Sequence, residues 1–344
     1  MNTILATGGA GFIGSNFVRY LYDRYPDYRI LVLDLLTYAG SVENLPVGFN
    51  QVSNGRLQFW YGDVRNASLV DTLVAESDAV VHFAAETHVT RSIYDNYHFF
   101  ETDVLGTQVV ANAVLKHAKR VNRFIHISTS EVYGTAKAEK MDEEHPLLPM
   151  SPYASAKAGA DRLVYSYWAT YHLPAIIVRP FNQYGPHQHL EKVIPRFITS
   201  ALLSEPLIIH GDGRNSRDWL YVGDLCQALD RALHASLEQT KGEVINLGTG
   251  VDTSIKCVAE QIMDKLGKSH DLMSFMEDRP GQVYRHVAAT EKALSLLNWK
   301  AEIDFATGIE RTIRWYADHP LWWEKLRWMR SVAITVPGGR RITY

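Results

Sequence analysis

The sequence predicts an α/β fold, a Rossmann-type doubly wound parallel sheet with a smaller α+β lobe. Three observations carry this expectation. A glycine-rich turn separates an apolar strand from a helix at the start of the chain, in "TILATGGAGFIGSNFVRYLYDRYPDYRILVLDLL". Short runs that are apolar throughout, and so read as strands buried on both faces, then alternate with helical stretches up to about residue 180. Beyond that point the alternation weakens.

The opening stretch reads as strand, glycine turn, helix and second strand, a compact βαβ unit. "ESDAVVHFAA" and "VNRFIHISTS" supply further buried strands, and "ETDVLGTQVVANAVLKHAK" between them has helical spacing. "SPYASAKAGADRLVYSYWATY" reads as a long helix and "PAIIVRP" as the strand after it. This alternation assigns 1–180 to a nucleotide-binding domain. The remainder, 181–344, is mainly the second lobe: "VIPRFITSALLSEP" and "SIKCVAEQIMDKLG" look helical, and "LIIHGDG" and "EVINLGTG" look like its strands. Within "RDWLYVGDLCQALDRALH" the chain is expected to return to the large domain, over about 217–236. Long loops are expected near 136–151 and 183–192. Trp315, Trp322, Trp323 and Trp328 in the tail read as core or subunit packing rather than a ligand box.

Charge excludes whole classes of partner. With 35 basic against 38 acidic residues, a formal net charge of -3 and no block of either sign, neither nucleic acid nor an anionic membrane surface is implied. No apolar run reaches the eighteen or so residues of a spanning helix, and the N-terminus enters a strand without a leader pattern, so a cytoplasmic protein is expected. Cys226 and Cys257, the two cysteines, lie outside any metal-ligand spacing and suit reduced, buried thiols; no metal is expected.

In "TGGAGFIG", Gly8, Gly11 and Gly14 follow a strand and open a helix, and Gly9-x-Gly11-x-x-Gly14 also satisfies the dinucleotide fingerprint. A side chain at this turn would hold a pyrophosphate away from the backbone N–H groups and the positive helix end. Asp34 ends the next strand, twenty residues after Gly14. A carboxylate there accepts hydrogen bonds from an adenosine 2′-hydroxyl and repels a 2′-phosphate, which favours NAD over NADP. Asp63 ends a third apolar segment within reach of an adenine amine.

"SPYASAK" places Tyr153 and Lys157 four residues apart, on one face of a helix. An ammonium beside the phenol, together with an oxidised nicotinamide, lowers the tyrosine pKa from about 10 toward neutrality and makes a base for a substrate hydroxyl. Thr129, at the end of "RFIHIST", is placed to hydrogen-bond the same hydroxyl.

Together, TGxxGxxG, the strand-end hydroxyl and YxxxK resemble the extended short-chain dehydrogenase/reductase family. "LTYAG", "HFAAETHVTRSI", "STSEVYG", "SPYASAKAGAD", "RPFNQYGP", "RDWLYVGD", "DRPGQ" and "RWYADHPLWW" resemble, in order and spacing, the nucleotide-sugar 4,6-dehydratases, over residues 3 to about 325. The resemblance implies a tightly held NAD that takes hydride from C4 of a hexose and returns it to C6 after water leaves across C5–C6. It implies Tyr153 as base for the C4 hydroxyl, Lys157 as its electrostatic partner and a contact to the nicotinamide ribose, Thr129 as the group that orients the hydroxyl, and Glu131 as the base at C5. A ketone at C4 acidifies C5–H, which independently suits a carboxylate beside the ring. Phe12, Ile13, Thr37, Val64, Ala84 and Ala85 join the glycines and acids as cofactor contacts. Thr87, His88, Arg91, Asn182, Arg217, Asn246 and Arg279 are the expected contacts to the sugar nucleotide, the arginines because a planar fork suits a diphosphate. A homodimer packed through helices of the large domain, including the one carrying Tyr153, is also implied.

Three positions depart from the family pattern. dTDP-glucose 4,6-dehydratases mostly read Thr-Asp-Glu where this chain reads Thr129-Ser130-Glu131, the Asp protonating the departing C6 hydroxyl. Serine is a poor acid at neutral pH, so either Glu131 delivers the proton it has taken or water relays it. Thr-Ser-Glu also occurs in GDP-mannose 4,6-dehydratases and UDP-glucuronate decarboxylases. Asp103 stands where many relatives have Asn, and Gln183 where many have a second Asn. Alternatives to a dehydratase are a UDP-glucuronate decarboxylase, a nucleotide-sugar 4-epimerase, for which Glu131 has no task, and an NAD-binding regulator without activity.

Overall fold

The computed structural model describes residues 1–46, 55–278, 281–331, 333–335 and 341–343. In its first half the chain runs β1 (Thr3–Thr7), α1 (Phe12–Arg24), β2 (Arg29–Asp34), β3 (Leu57–Tyr61), α2 (Ala67–Ala75), β4 (Ala79–His82), α3 (Val89–Tyr94) and α4 (Tyr97–Phe99). A wider π-type turn over Phe100–Gly106 leads into α5 (Thr107–Lys116), followed by β5 (Arg123–Ile127), a 3-10 turn at Ser130–Tyr133, α6 (Pro152–Tyr171) and β6 (Ala175–Pro180). The second half runs β7 (Asn182–Tyr184), α7 (Val193–Leu202), β8 (Leu207–His210), β9 (Ser216–Tyr221), α8 (Val222–His234), α9 (Leu237–Thr240) and β10 (Val244–Leu247). β11 (Asp252–Ser254), α10 (Ile255–Leu266), β12 (Met273–Met276), α11 (Glu291–Leu297), α12 (Phe305–Asp318) and α13 (Pro320–Trp323) follow.

The large sheet has seven parallel strands in the order β10-β6-β5-β4-β1-β2-β3. The order in which strands are added reverses between β1 and β4, which opens a crevice at the carboxyl ends of those strands. Side-chain alternation feeds two cores. Ile4, Ala6, Ile30 and Val32 pack with Phe17 and Leu21 of α1 and Leu225 and Leu229 of α8. Leu5, Leu31 and Val80 pack on the other face with Val70 of α2, Val110 of α5 and Val164 of α6. The strands read as continuous apolar runs because both faces are covered.

"EVINLGTG" is not a strand of the second lobe: Val244–Leu247 pairs with β6 and forms the edge of the large sheet. Its alternation explains the placement, since Ile245 and Leu247 enter one core while Val244 packs against the other. The return over about 217–236 divides in two. β9 joins β7 and β11 in a small three-stranded sheet, and α8 lies on the large one. α7, α10, α12 and Trp323 build the core of the second lobe around Phe197, Ile262 and Tyr316. Trp322 donates its indole N–H to Asn44 Oδ1 across the lobes at 2.9 Å, whereas Trp328 is exposed.

The helical run expected over "ETDVLGTQVV" starts with the π-type turn. At Gly106 a Cβ would come within 2.8 Å of a Val64 methyl, so the helix bulges where it crosses that side chain. Thr107 donates its hydroxyl to the Asp103 carbonyl at 2.6 Å, occupying an acceptor in the distorted turn.

A buried ion pair joins these elements. Arg179 of β6 donates Nε to Asp161 Oδ2 at 2.8 Å and Nη2 to Oδ1 at 3.0 Å, a bidentate pair between β6 and α6. Its third nitrogen donates to the Tyr133 hydroxyl at 2.9 Å, and Tyr133 donates to Asn246 Oδ1 at 2.8 Å. Asp161 is held well below the usual carboxylate range: the hydrogen bonds and charge of Arg179 outweigh the burial that opposes them. Asp161→Ala leaves Arg179 charged and unpaired in the core and should lower unfolding free energy by about 3–5 kcal/mol. Asp161→Leu with Arg179→Met should recover much of that loss in the same denaturant titration. A single Ala variant within about 1 kcal/mol of the parent would contradict this account.

Candidate active site

The cavity lies at the switch point between β1 and β4, with a volume of about 430 Å³, within the range of small-molecule sites. Gly8, Gly11, Phe12, Ile13 and Gly14 form one end of it. Gly8 has φ +67°, and a Cβ there would sit 2.5 Å from the Ala84 nitrogen; at Gly14 it would sit 2.3 Å from the Gly8 carbonyl oxygen. The turn therefore admits no side chain at either position and leaves the N-terminus of α1 open to an anion. Gly9 instead faces Ala6 and Val32 and serves the contact between helix and sheet.

Asp34, Thr37, Asp63, Val64, Ala84 and Ala85 line the same end. Asp34 Oδ2 accepts the Ala10 N–H at 2.9 Å and Oδ1 the Leu36 N–H at 2.8 Å, which orients the carboxylate with acceptor capacity left over. Burial pushes Asp34 up, and these backbone donors pull it back. The Asp63 carboxylate is already engaged by Arg65, with Nε 2.9 Å from Oδ2. A tight glycine turn, an open helix end and an oriented acid fit a dinucleotide.

At the other end, the close of β5 and the start of α6 meet. Thr129 caps the 3-10 turn, its Oγ1 accepting the Glu131 N–H at 3.2 Å. Ser151 caps α6 by accepting the Ala154 N–H at 3.1 Å, and Pro152 occupies its first turn. Thr129, Ser130, Glu131, Tyr153 and Lys157 thus face one space. Lys157 is buried and donates Nζ to the Ile127 carbonyl at 2.6 Å. Burial pushes its ammonium down, while Asp103 and Asp161 hold it up.

The expectation that Lys157 draws the Tyr153 phenol toward neutrality meets an opposing environment. Burial pushes the phenol up, and the charges of Asp103 and Glu131 push it further, while hydrogen bonds with the Thr129 and Thr87 hydroxyls pull it down. The interactions of Lys157 are directed to the Ile127 carbonyl and the two buried acids.

Of the expected substrate contacts, Thr87, His88, Asn182 and Arg217 line the cavity. Asn182 Oδ1 is buried with no hydrogen-bond partner among the described residues, as are Gln188 Oε1 and His189 Nε2, which belong to the same wall. Asn246 is a correction. Its Oδ1 accepts from Tyr133 and its Nδ2 donates to the Met141 carbonyl at 3.0 Å, so its side chain is consumed in the network behind the site. Arg91 does not line the cavity either; its guanidinium lies 4.3 Å from the centre of the Tyr38 ring and 3.9 Å from Glu191. Arg279 lies outside the described residues.

The sequence reading passed over Glu191, Lys192, Arg196 and His286. The Glu191 side chain is buried and accepts the Tyr38 hydroxyl at 2.8 Å, and Lys192 donates to the Thr87 carbonyl at 2.9 Å. Both lie in a stretch visible in the sequence only as a long loop. His286 follows "DRPGQ" closely and carries no periodic signal; the hydrogen-bond partners of its ring lie more than 150 residues away.

Comparison with known proteins agrees with this geometry. The family model for GDP-mannose 4,6 dehydratase matches residues 5–312. The chain belongs to that family. The low-salt glycan biosynthesis protein Agl12 of Haloferax volcanii is 47% identical over 313 residues, covering 91% of this chain and 98% of that one. A dTDP-glucose 4,6-dehydratase of Streptomyces niveus is 42% identical over 329 residues, covering 94% of this chain and 95% of that one. The crystal structure of a dTDP-glucose 4,6-dehydratase from Streptomyces venezuelae, with NAD bound, superposes with a TM-score of 0.88 at 39% identity, covering 95% of this chain and all of that one. Epimerase structures share the fold at only 26 to 29% identity.

Asp103, one of the three departures from the family pattern, lies beneath this site. It is 1% exposed; Oδ1 accepts the Glu86 N–H at 2.7 Å, and Oδ2 has no hydrogen-bond partner among the described residues. Burial pushes the carboxyl up and the Lys157 charge draws it back only in part. An acid with a folded-state pKa above its unfolded value of about 4 is protonated more readily in the native protein, so stability is lost as pH rises from there through the folded value. Asp103→Asn removes that loss. Its thermal midpoint relative to the parent should climb between pH 5 and pH 9, and parallel pH curves would contradict the assignment.

Proposed function

We propose that this chain is an NAD-dependent nucleotide-diphosphate-hexose 4,6-dehydratase. It converts dTDP-glucose, or a UDP- or GDP-hexose such as UDP-N-acetylglucosamine, to the 4-keto-6-deoxy sugar nucleotide. The observation that carries the reading is the shared wall: Glu131 and Tyr153 face one cavity whose far end is the glycine turn. A carboxylate next to the phenol has no task in a simple C4 oxidation and a direct one in removing a proton from C5.

NAD, when bound, accepts the C4 hydride and returns it to C6, and its charged ring offsets the burial that raises Tyr153. The Tyr153 phenolate takes the C4 hydroxyl proton, with Thr129 holding that hydroxyl at the strand end. Lys157, on the same helix face as Tyr153, is fixed by the Ile127 carbonyl of β5. Glu131 then removes the C5 proton, made acidic by the adjacent ketone. Arg217 and Asn182 hold the diphosphate end by donating from the guanidinium and from Asn182 Nδ2, while the Asn182 Oδ1 without a partner among the described residues is an acceptor for a substrate hydroxyl. The same reading carries a cytoplasmic location and a homodimer, the homodimer supported by exposed Phe100, Leu105 and Tyr165 on the π-type turn and α6.

Offered dTDP-glucose, UDP-glucose, UDP-N-acetylglucosamine and UDP-glucuronate separately, the purified protein should release water from a hexose nucleotide, read by mass spectrometry. Carbon dioxide lost from UDP-glucuronate alone would replace the dehydratase reading with a decarboxylase. Glu131→Gln should accumulate reduced nicotinamide absorbance with the accepted substrate while turnover drops by about 100-fold or more. Tyr153→Phe should suppress that absorbance change as well, and an unaltered hydride-transfer rate would remove Tyr153 from the mechanism.

A further inference from the structure

Ser130 is 2% exposed, yet it reaches the cavity wall beside Glu131. Behind it stands His286, with no exposed surface. His286 sits on a segment fastened on two sides. Its backbone exchanges hydrogen bonds with β9, Asp218 N–H donating to the His286 carbonyl at 3.0 Å, and its neighbours bond the loop after the 3-10 turn, Met141 N–H donating to the Val287 carbonyl at 2.8 Å. The ring is therefore held where a proton carrier needs to be.

The hydrogen-bond partners settle the tautomer. Nε2 lies 2.7 Å from the Gly134 carbonyl oxygen, which only accepts, so Nε2 carries the hydrogen. A neutral imidazole then has a bare Nδ1, and Nδ1 lies 3.3 Å from Ser130 Oγ and 3.9 Å from Glu131 Oε1. Burial, with the charges of Arg217 and His145, holds the imidazole down at about 4; Glu131 and the Gly134 hydrogen bond oppose this. The resting ring is neutral, with the bare Nδ1 turned toward Ser130 Oγ and Glu131 Oε1.

We propose that Ser130 and His286 form a proton relay that carries the C5 proton from Glu131 to the departing C6 hydroxyl. The proposal rests on the dehydratase reading and assigns the acid step within it. The C5–H bond breaks and its proton goes to the Glu131 carboxylate; the electron pair left behind forms the C5–C6 double bond. The C6–O bond breaks as the hydroxyl takes the proton of Ser130 Oγ and departs as water. Ser130 recovers a proton from His286 Nδ1, and Nδ1 receives its own from the Glu131 carboxylic acid. At the end Glu131 is a carboxylate, the imidazole is neutral and the serine is a hydroxyl. A serine alone would end this step as an alkoxide, an unfavourable product at neutral pH. The imidazole behind it removes that obstacle, because the oxygen is reprotonated as it donates. Ser130 acts as the catalytic acid and His286 as the residue acting through it.

The test uses the full chain with NAD and whichever hexose nucleotide the parent dehydrates. Ser130→Ala and His286→Asn should each lower kcat by about 100-fold with KM changed less than twofold. In both, reduced nicotinamide should accumulate, and deuterium from solvent should enter C5 of recovered substrate, because Glu131 still removes and returns the C5 proton. Ser130→Asp in the His286→Asn background should restore at least tenfold of the lost turnover, since a carboxyl at 130 donates without an imidazole behind it. Thermal midpoints and NAD affinity close to the parent's establish that the variants are folded. Parental kcat in Ser130→Ala overturns the relay, as does a folded double variant that gains nothing from Asp. A parent that dehydrates none of the panel instead removes the functional reading beneath it.

Discussion

The bidentate pair between Arg179 and Asp161 is the constraint on which the site depends. Asp161 belongs to the helix that carries Tyr153 and Lys157, and Arg179 to the strand beside it. Through Tyr133 the same guanidinium reaches the turn that carries Thr129 and Glu131. A buried pair of this kind adds little net stability compared with apolar residues of the same volume, because both ions must leave water. Its value is positional. An apolar contact tolerates slippage of a few tenths of an ångström, whereas a fork on a carboxylate fixes two directions at once. The phenol and the carboxylate that share the cavity reach it from separate elements, and their spacing is set behind them.

Around that frame the site concentrates groups that burial makes reluctant to ionise. The surroundings of Asp103, Lys157, Tyr153 and His286 each favour the neutral form on desolvation grounds. A charge formed on one of them is poorly screened, so it bears strongly on the protonation of its neighbours. Asp103 differs from an asparagine in one respect that matters here. It couples electrostatically to both Lys157 and Tyr153, raising each, so the protonation of the floor of the site bears on the base above it.

What was legible in the sequence was local. The glycine turn, the strand-end Asp34 and the spacing of Tyr153 and Lys157 are written within a few residues, and the fold places them as their spacing requires. The seven-stranded sheet was legible in kind, but its edge was not: "EVINLGTG" has the same apolar signature in either lobe, and only the two cores it completes decide between them. Asn246 and Arg91 were misplaced for a related reason. Arg91 is a polar residue in a family-like motif and Asn246 one in a short apolar run, and long-range partners, Tyr133 for Asn246 and Tyr38 for Arg91, engage their side chains away from the cavity. His286, which meets Ser130 and Gly134 from across the chain, had no short-range pattern to announce it.

The seam between the lobes has a kinetic meaning. Asn16 bonds the Pro186 carbonyl, Tyr38 bonds Glu191, Trp322 bonds Asn44 and Lys192 bonds the Thr87 carbonyl. Three of these contacts tie the loop over 183–192 to the nucleotide-binding domain, and the Trp322 contact ties the tail of the second lobe to it, so several bonds hold the second lobe beside the glycine-lined end. An ordinary dehydrogenase must discharge one spent cofactor for every substrate converted. A cycle that hands its hydride back before product leaves has no such traffic. A seam bonded at several points suits an enzyme whose oxidant is renewed in place.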